Sequence, residues 1–222
     1  MMRIVRILLL LLVYAGAATC FAQMSRNDIS LGGIGVFTLP SPGQWITGGQ
    51  VTDRIMQSNR DGPGASLEYR RWWGNNAAGL LYSKSATNSK LTNVDGLYLN
   101  ADGQFIPWSV IAWRIRRDEV NVLYTRRFRG RALLPYLTGG LGAEVLNGGR
   151  GESGLDAQFA YVMGAGEDLP LWRGFGLRTG FIADSIHAPT YMDPTYRSVR
   201  TWIFEPRFGI EYRIGFGAPG SR

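Results

Sequence analysis

The chain has 222 residues, a single cysteine (Cys20), a single histidine (His187) and a formal net charge of +7. That length suits one domain of ordinary size. So few sulfur and imidazole groups exclude a disulfide framework and a zinc centre of the Cys/His kind.

The first residues read as an export signal. Arg3 and Arg6 make a short basic region, Ile7 to Val13 is an unbroken apolar run, and small residues follow from Ala15 to Thr19. This is the charged, greasy, then small order of a secretory signal peptide. The apolar run is too short for a spanning helix, which needs about 20 residues. Cleavage is expected after Ala22, so that 1–22 is the signal peptide and 23–222 the mature domain; Ala17 is the rival position. Lipidation of Cys20 is a third reading, but Ala17-Ala18-Thr19 is a poor lipobox. Loss of Arg3 and Arg6 lowers the net charge to +5. The remaining basic residues are scattered among aromatics and glycines, which, with export, argues against nucleic acid as a partner. No second long apolar segment follows. Transmembrane β-strands escape a hydropathy scan because only alternate residues face lipid.

What recurs after the signal is period-two alternation in segments bounded by Gly, Asn, Asp and Pro. Eight strands are expected, at 28–38, 63–73, 77–86, 112–128, 133–146, 156–168, 174–186 and 201–216. The first is glycine-rich. In the second, Leu67 and Tyr69 alternate with Ser66, Glu68 and Arg70. In the third, Leu80 and Tyr82 alternate with Leu81 and Ser83. The fourth sets Val120, Val122 and Tyr124 against Asn121, Leu123 and Thr125. The fifth sets Leu137, Leu141, Ala143 and Val145 against Thr138, Gly140, Gly142 and Glu144. Phe159, Tyr161 and Met163 alternate with Ala160, Val162 and Gly164 in the sixth. Phe175, Leu177, Thr179, Phe181 and Ala183 alternate with Gly176, Arg178, Gly180, Ile182 and Asp184 in the seventh. The last strand reads FGIEYRIGF from Phe208, with Ile210, Tyr212, Ile214 and Phe216 on one face and Glu211 and Arg213 on the other.

The connections alternate in length. Those at 39–62, 87–111 and 188–200 are long, whereas those near 74–76, 129–132 and 170–173 are short. Sorting of this kind implies an antiparallel up-and-down meander closed into a transmembrane β-barrel, with short periplasmic turns and long outer loops. Trp72, Trp73 and Trp172 adjoin short turns, where an aromatic girdle is expected at the membrane interface.

The pattern resembles the small outer-membrane β-barrel superfamily that includes the OmpA transmembrane domain and OmpX. The terminal IEYRIGF is similar to the signature read by the barrel-assembly machinery, with Ile210, Tyr212, Ile214 and Phe216 as its alternate apolar positions; GAPGSR follows it as a short tail. The resemblance implies an eight-stranded all-β barrel in the bacterial outer membrane. It further implies contact with outer-membrane lipids and lipopolysaccharide, and assembly as a monomer. It does not fix function.

Few residues suggest chemistry. His187 lies near Ser185 and Asp184, but Asp184 falls on the opposite strand face, away from the position of an orienting partner. Neither a cofactor nor a metal site is expected, since no carboxylates cluster with ligand spacing in the sequence. The inward charges are more informative. Glu68, Arg70, Glu144, Arg178, Glu211 and Arg213 all fall on the lumenal face by parity. An eight-stranded barrel is just wide enough to be filled by side chains, and charges there must pair. The expectation is a non-enzymatic barrel with a structural or surface-interaction role and a lumen plugged by an Arg–Glu network. A membrane hydrolase of lipid A or phospholipid and a narrow small-solute channel are the alternatives.

Overall fold

The computed structural model describes residues 25–47, 49–59, 61–99, 105–128, 130, 133–147, 155–187 and 196–214. The signal segment 1–22, Phe216 and the tail lie outside the described residues. Eleven strands and no helix are found among them: β1 (Ser25–Thr38), β2 (Ser41–Thr47), β3 (Gln50–Asn59), β4 (Gly62–Trp73), β5 (Asn76–Leu99), β6 (Phe105–Arg127), β7 (Leu134–Asn147), β8 (Leu155–Pro170), β9 (Phe175–His187), β10 (Tyr196–Ser198) and β11 (Arg200–Ile214).

Eight of these make a closed antiparallel barrel. Its order around the wall is β1-β4-β5-β6-β7-β8-β9-β11, and β11 pairs back onto β1 over Asn27↔Ile214 to Thr38↔Ile203. Closure leaves no unpaired strand edge in the hydrocarbon, where an unsatisfied backbone group costs several kcal/mol. At the seam Gly32 faces Gly209 across the ladder, and a Cβ on Gly32 would lie 2.8 Å from the Gly209 Cα, so the two backbones pass too closely for side chains. Two of the short turns are also set by glycine, with positive φ at Gly74 (60°) and Gly174 (88°).

Alternation sorts the wall into two faces. Val120, Val122 and Tyr124 on β6 are outward, as are Leu137 and Leu141 on β7, Phe159, Tyr161 and Met163 on β8, and Phe208, Ile210, Tyr212 and Ile214 on β11. The intervening residues face the lumen and are buried: Asn121, Leu123 and Thr125 on β6, for example. The apolar outer band has polar edges. On β6 it runs between Asp118 and Arg126, a height of about 20 Å at ordinary strand rise and barrel tilt. Tyr82 marks its outer rim by donating a 2.6 Å hydrogen bond to Asp118 Oδ1, which also pairs with Lys84 at 3.3 Å.

Two features depart from the sequence reading. First, the stretches expected as long loops contain β-structure. β5 continues past residue 86 to Leu99 and β6 begins at Phe105, while β2 and β3 form a hairpin that pairs onto β5, and β10 pairs onto β2. Here Ser85, Ser89, Leu91 and Asn93 point inward and Asn88 and Lys90 outward. Above the membrane the outer face meets water, so the alternation persists but its apolar signal vanishes. Second, Trp72 is not a girdle residue. It is 2% exposed and points into the lumen, because it shares parity with Glu68 and Arg70, whereas Trp73 and Trp172 are exposed on the outside.

An outward position at mid-band should reject charge. Val122→Arg is expected to destabilise the barrel by about 2–4 kcal/mol in urea unfolding from lipid vesicles, whereas Asn88→Arg, above the band, should be nearly neutral.

Candidate functional site

The lumen is filled by two layers of charged side chains. The first lies towards the short turns. Arg178, from β9, is its hub. Its Nε donates to Asp168 Oδ1 at 2.8 Å, Nη2 to Glu211 Oε2 at 2.9 Å, and Nη1 to Glu68 Oε2 at 3.3 Å and Ser30 Oγ at 3.2 Å. Arg70 donates to Glu68 and Arg213 donates to Glu211, at 2.5 and 2.7 Å. Arg127 pairs with Asp168. Arg26 holds Asp28 through two bonds of 2.7 and 2.8 Å. Two aromatic rings complete the layer: the Arg127 guanidinium lies 3.8 Å from the centre of the Trp72 ring and that of Arg70 4.4 Å from Tyr136. Stacking of this kind suits the planar, weakly hydrated guanidinium. Room for the Tyr136 ring is made by Gly180 on the facing wall, where a Cβ would lie 2.6 Å from the hydroxyl.

The second layer lies towards the long connections and has Arg117 of β6 as its hub. Arg117 donates to both oxygens of Glu144 at 2.7 and 2.8 Å, to Glu119 at 2.9 Å, to Asp184 at 3.3 Å, and also to Glu205. Ser83 and Asn121 donate to Glu119 as well, and Arg207 to Glu205. All four acids are fully buried. Above them Val36, Ile115, Leu146, Ile186 and Ile203 form an apolar cap, and a cavity of about 20 Å³ lies among these residues, with Arg117 on one side and Gln57, Thr87 and Thr201 also in its lining. That space is the size of a single water molecule.

No protein-family model matches the chain, and no curated protein sequence matches it. Solved structures do. OprG of Pseudomonas aeruginosa, an outer membrane protein, superposes with a TM-score of 0.59 at 11% identity, covering 86% of this chain and 97% of that one. The outer membrane protein AlkL in lipid bilayers gives 0.58 at 13% identity, over 89% and 94% of the two chains, and Neisserial surface protein A gives 0.51 at 10%, over 83% and 96%. The chain shares the eight-stranded antiparallel β-barrel fold of these outer membrane proteins. Its closed meander, polar lumen and apolar outer band are the form of a barrel that crosses a membrane.

Within the barrel, the six charged residues selected by parity fall as follows. Glu68, Arg70, Arg178, Glu211 and Arg213 meet in the inner layer, and Glu144 stands apart from them in the outer one. Ile210, Tyr212 and Ile214 lie on the lipid face, 58, 43 and 41% exposed. Sequence reasoning placed Asp184 on the Arg178 face without assigning it to the charge network, and passed over Asp28, Arg117, Glu119, Arg127, Asp168, Glu205 and Arg207. The signal was available: extending the same alternation outward from Asn121 reaches Glu119 and Arg117, and from Gly209 it reaches Arg207 and Glu205.

The carboxylates do cluster, contrary to the sequence reading. Glu119, Asp184 and Glu205, from three strands, bring oxygens within 4.8 Å of one another. The Arg117 guanidinium contacts all three and supplies a cation there. Across the wall from Asp184, Ser185 sits between Tyr161 and Trp202 on neighbouring strands and accepts a 3.3 Å bond from Arg200, with His187 at the exposed end of β9. The acid that would orient a serine–histidine pair thus lies inside the barrel, bonded to Arg117.

Removing the inner hub takes one partner from three buried acids, Glu68, Asp168 and Glu211, and leaves each with a single arginine. Arg178→Ala is expected to cost roughly 3–5 kcal/mol in denaturant unfolding. Adding Asp168→Asn should recover part of this, giving a non-additive double-mutant cycle.

Proposed function

We propose that the protein is a closed, non-enzymatic barrel with a structural or surface-interaction role. The observation that carries this reading is the filled lumen. Two ion-paired layers and an apolar cap stand in series along its axis, tied to every strand of the wall. The two hub guanidiniums, Arg117 and Arg178, are each held by several carboxylates, and withdrawing either charge would leave acids under-paired in a poorly solvated space. The β-built extension above the membrane, made by β2, β3, β10 and the upper parts of β5 and β6, supports the same reading, because it offers a rigid surface beyond the lipid. The hydrolase alternative lacks this support, as Asp184 and Ser185 face opposite sides of the wall.

The reading is tested in planar bilayers. The purified barrel should give no steady single-channel conductance, and Arg117→Ala should not create any while the apolar cap stays in place. Steady conductance of the unaltered protein would replace this reading with the channel. Lipid A acylation should be identical with and without the Ser185→Ala and His187→Ala substitutions.

A further inference from the structure

Immediately above the lipid band, one wall of the barrel carries a ladder of cations. Lys84, Lys90, Arg114 and Arg116 are all exposed and all share outward parity on the neighbouring strands β5 and β6. The register sets them close together: Lys84 faces Asp118, Ala86 faces Arg116, Asn88 faces Arg114 and Lys90 faces Ala112. With side chains on one face about 7 Å apart along a strand and strands about 5 Å apart, the four lie in a strip about 20 Å long. Directly below on the same wall are Tyr82, Leu80, Val120, Val122 and Tyr124, which face lipid. The strip therefore begins at the height of the outer-leaflet headgroups.

Its charge is only partly matched within the wall. Asp118 accepts from Tyr82, pairs with Lys84 and lies in the field of Arg116, and Asp61, just before β4, is exposed. Among the described residues no ion pair holds Lys90, Arg114 or Arg116. The flanking β7 offers Asn147 opposite Arg116, a neutral neighbour. At the other rim the outward cations among the described residues include Arg71, Arg126 and Arg173, which sit at or beside the short turns and face the opposite leaflet. Four cations in a strip, two of them planar guanidiniums suited to bidentate phosphate contacts, match a headgroup with more than one phosphate better than a single-phosphate lipid.

We propose that the Lys84–Lys90–Arg114–Arg116 strip binds the phosphates of lipopolysaccharide in the outer leaflet. The strip would hold the barrel at a fixed depth and order a lipid shell on the β5–β6 wall. Attraction of this kind weakens with salt. The inference rests on the outer-membrane location and is independent of whether the lumen is plugged.

The test uses the full barrel in three vesicle types: phosphatidylcholine with lipopolysaccharide, phosphatidylcholine with phosphatidylglycerol, and phosphatidylcholine with inorganic phosphate in the buffer. Lipid retained per barrel is read by native mass spectrometry after detergent extraction. The unaltered protein should retain lipopolysaccharide, and neutralising all four positions to glutamine should lower its affinity on the order of tenfold or more, with the salt dependence flattened. Arg71→Gln with Arg126→Gln, at the other rim, should leave retention unchanged. Heat-modifiable mobility verifies folding of each variant, and the single variant Arg114→Gln, in a water-exposed position, provides a measurable partial loss should the fourfold variant misfold. Equal retention by the neutralised barrel would overturn the proposal. So would equal retention of phosphatidylglycerol, which would show a generic anionic surface, or an equal response to free phosphate.

Discussion

The hydrogen bonds that join β1 to β11 are the constraint on which the rest of this structure depends. In hydrocarbon no water satisfies an open strand, so a sheet must close or stay out of the bilayer. Closure at eight strands fixes a narrow interior, and a narrow interior dictates the side chains that can occupy it. Gly32 and Gly209 meet at the seam because the backbones there leave no space. Larger residues on other strands, such as Leu81, Leu123, Val162 and Ile182, fill the lumen. The glycine abundance is in part a consequence of closing so small a barrel.

The two charged layers are opposite in balance. In the inner layer Arg26, Arg70, Arg127, Arg178 and Arg213 outnumber Asp28, Glu68, Asp168 and Glu211. In the outer layer Glu119, Glu144, Asp184 and Glu205 outnumber Arg117 and Arg207. Arg207 lies between them, bonded to Glu205 and 3.9 Å from Glu119. An excess of opposite sign in each layer attracts the other through a poorly solvated space, where such attraction is strongest. The layers are therefore one network along the barrel axis, and its members come from all parts of the chain.

How much of this was legible in the sequence depended on what lay outside the wall. Where the outer face meets lipid, apolar and polar residues alternate sharply, and strands such as 156–168 and 174–186 could be placed within a few residues of β8 and β9. Where it meets water, as from Thr87 to Val94, both faces are mostly polar, and Leu91 and Val94 alone are too few to leave a period-two hydrophobic trace. The hairpin of β2 and β3 escaped for the same reason. Among the lumenal charges, parity sufficed for those beside clear apolar runs. It could have supplied Arg117, Glu119 and Glu205 by counting further along the same strands. What counting could not supply was partnership, because Arg117 is bonded to acids up to 88 residues away in sequence. Trp72 shows the converse error: its nearness to a turn suggested the interface, but the two-residue period had already assigned it to the lumen.

With ion-paired side chains across its lumen, the barrel presents two outer surfaces for contact. One is the outer wall at the membrane boundary, where the change from Val120 and Tyr82 to Arg116 and Lys90 takes place within a few residues along each strand. The other is the extension above it, which is built from paired strands. A flexible loop would lose conformational entropy on binding, whereas strands continuous with the wall are already ordered. Continuity also means that tilt or depth imposed on the wall by the surrounding lipid is transmitted directly to the surface above. The β5–β6 hairpin is the longest such continuous element, reaching from the turn at Gly74 to Leu99. It carries both the lipid-boundary cations and the upper wall onto which β3 docks, so the lipid-facing wall and the extension above it are one piece of β-sheet.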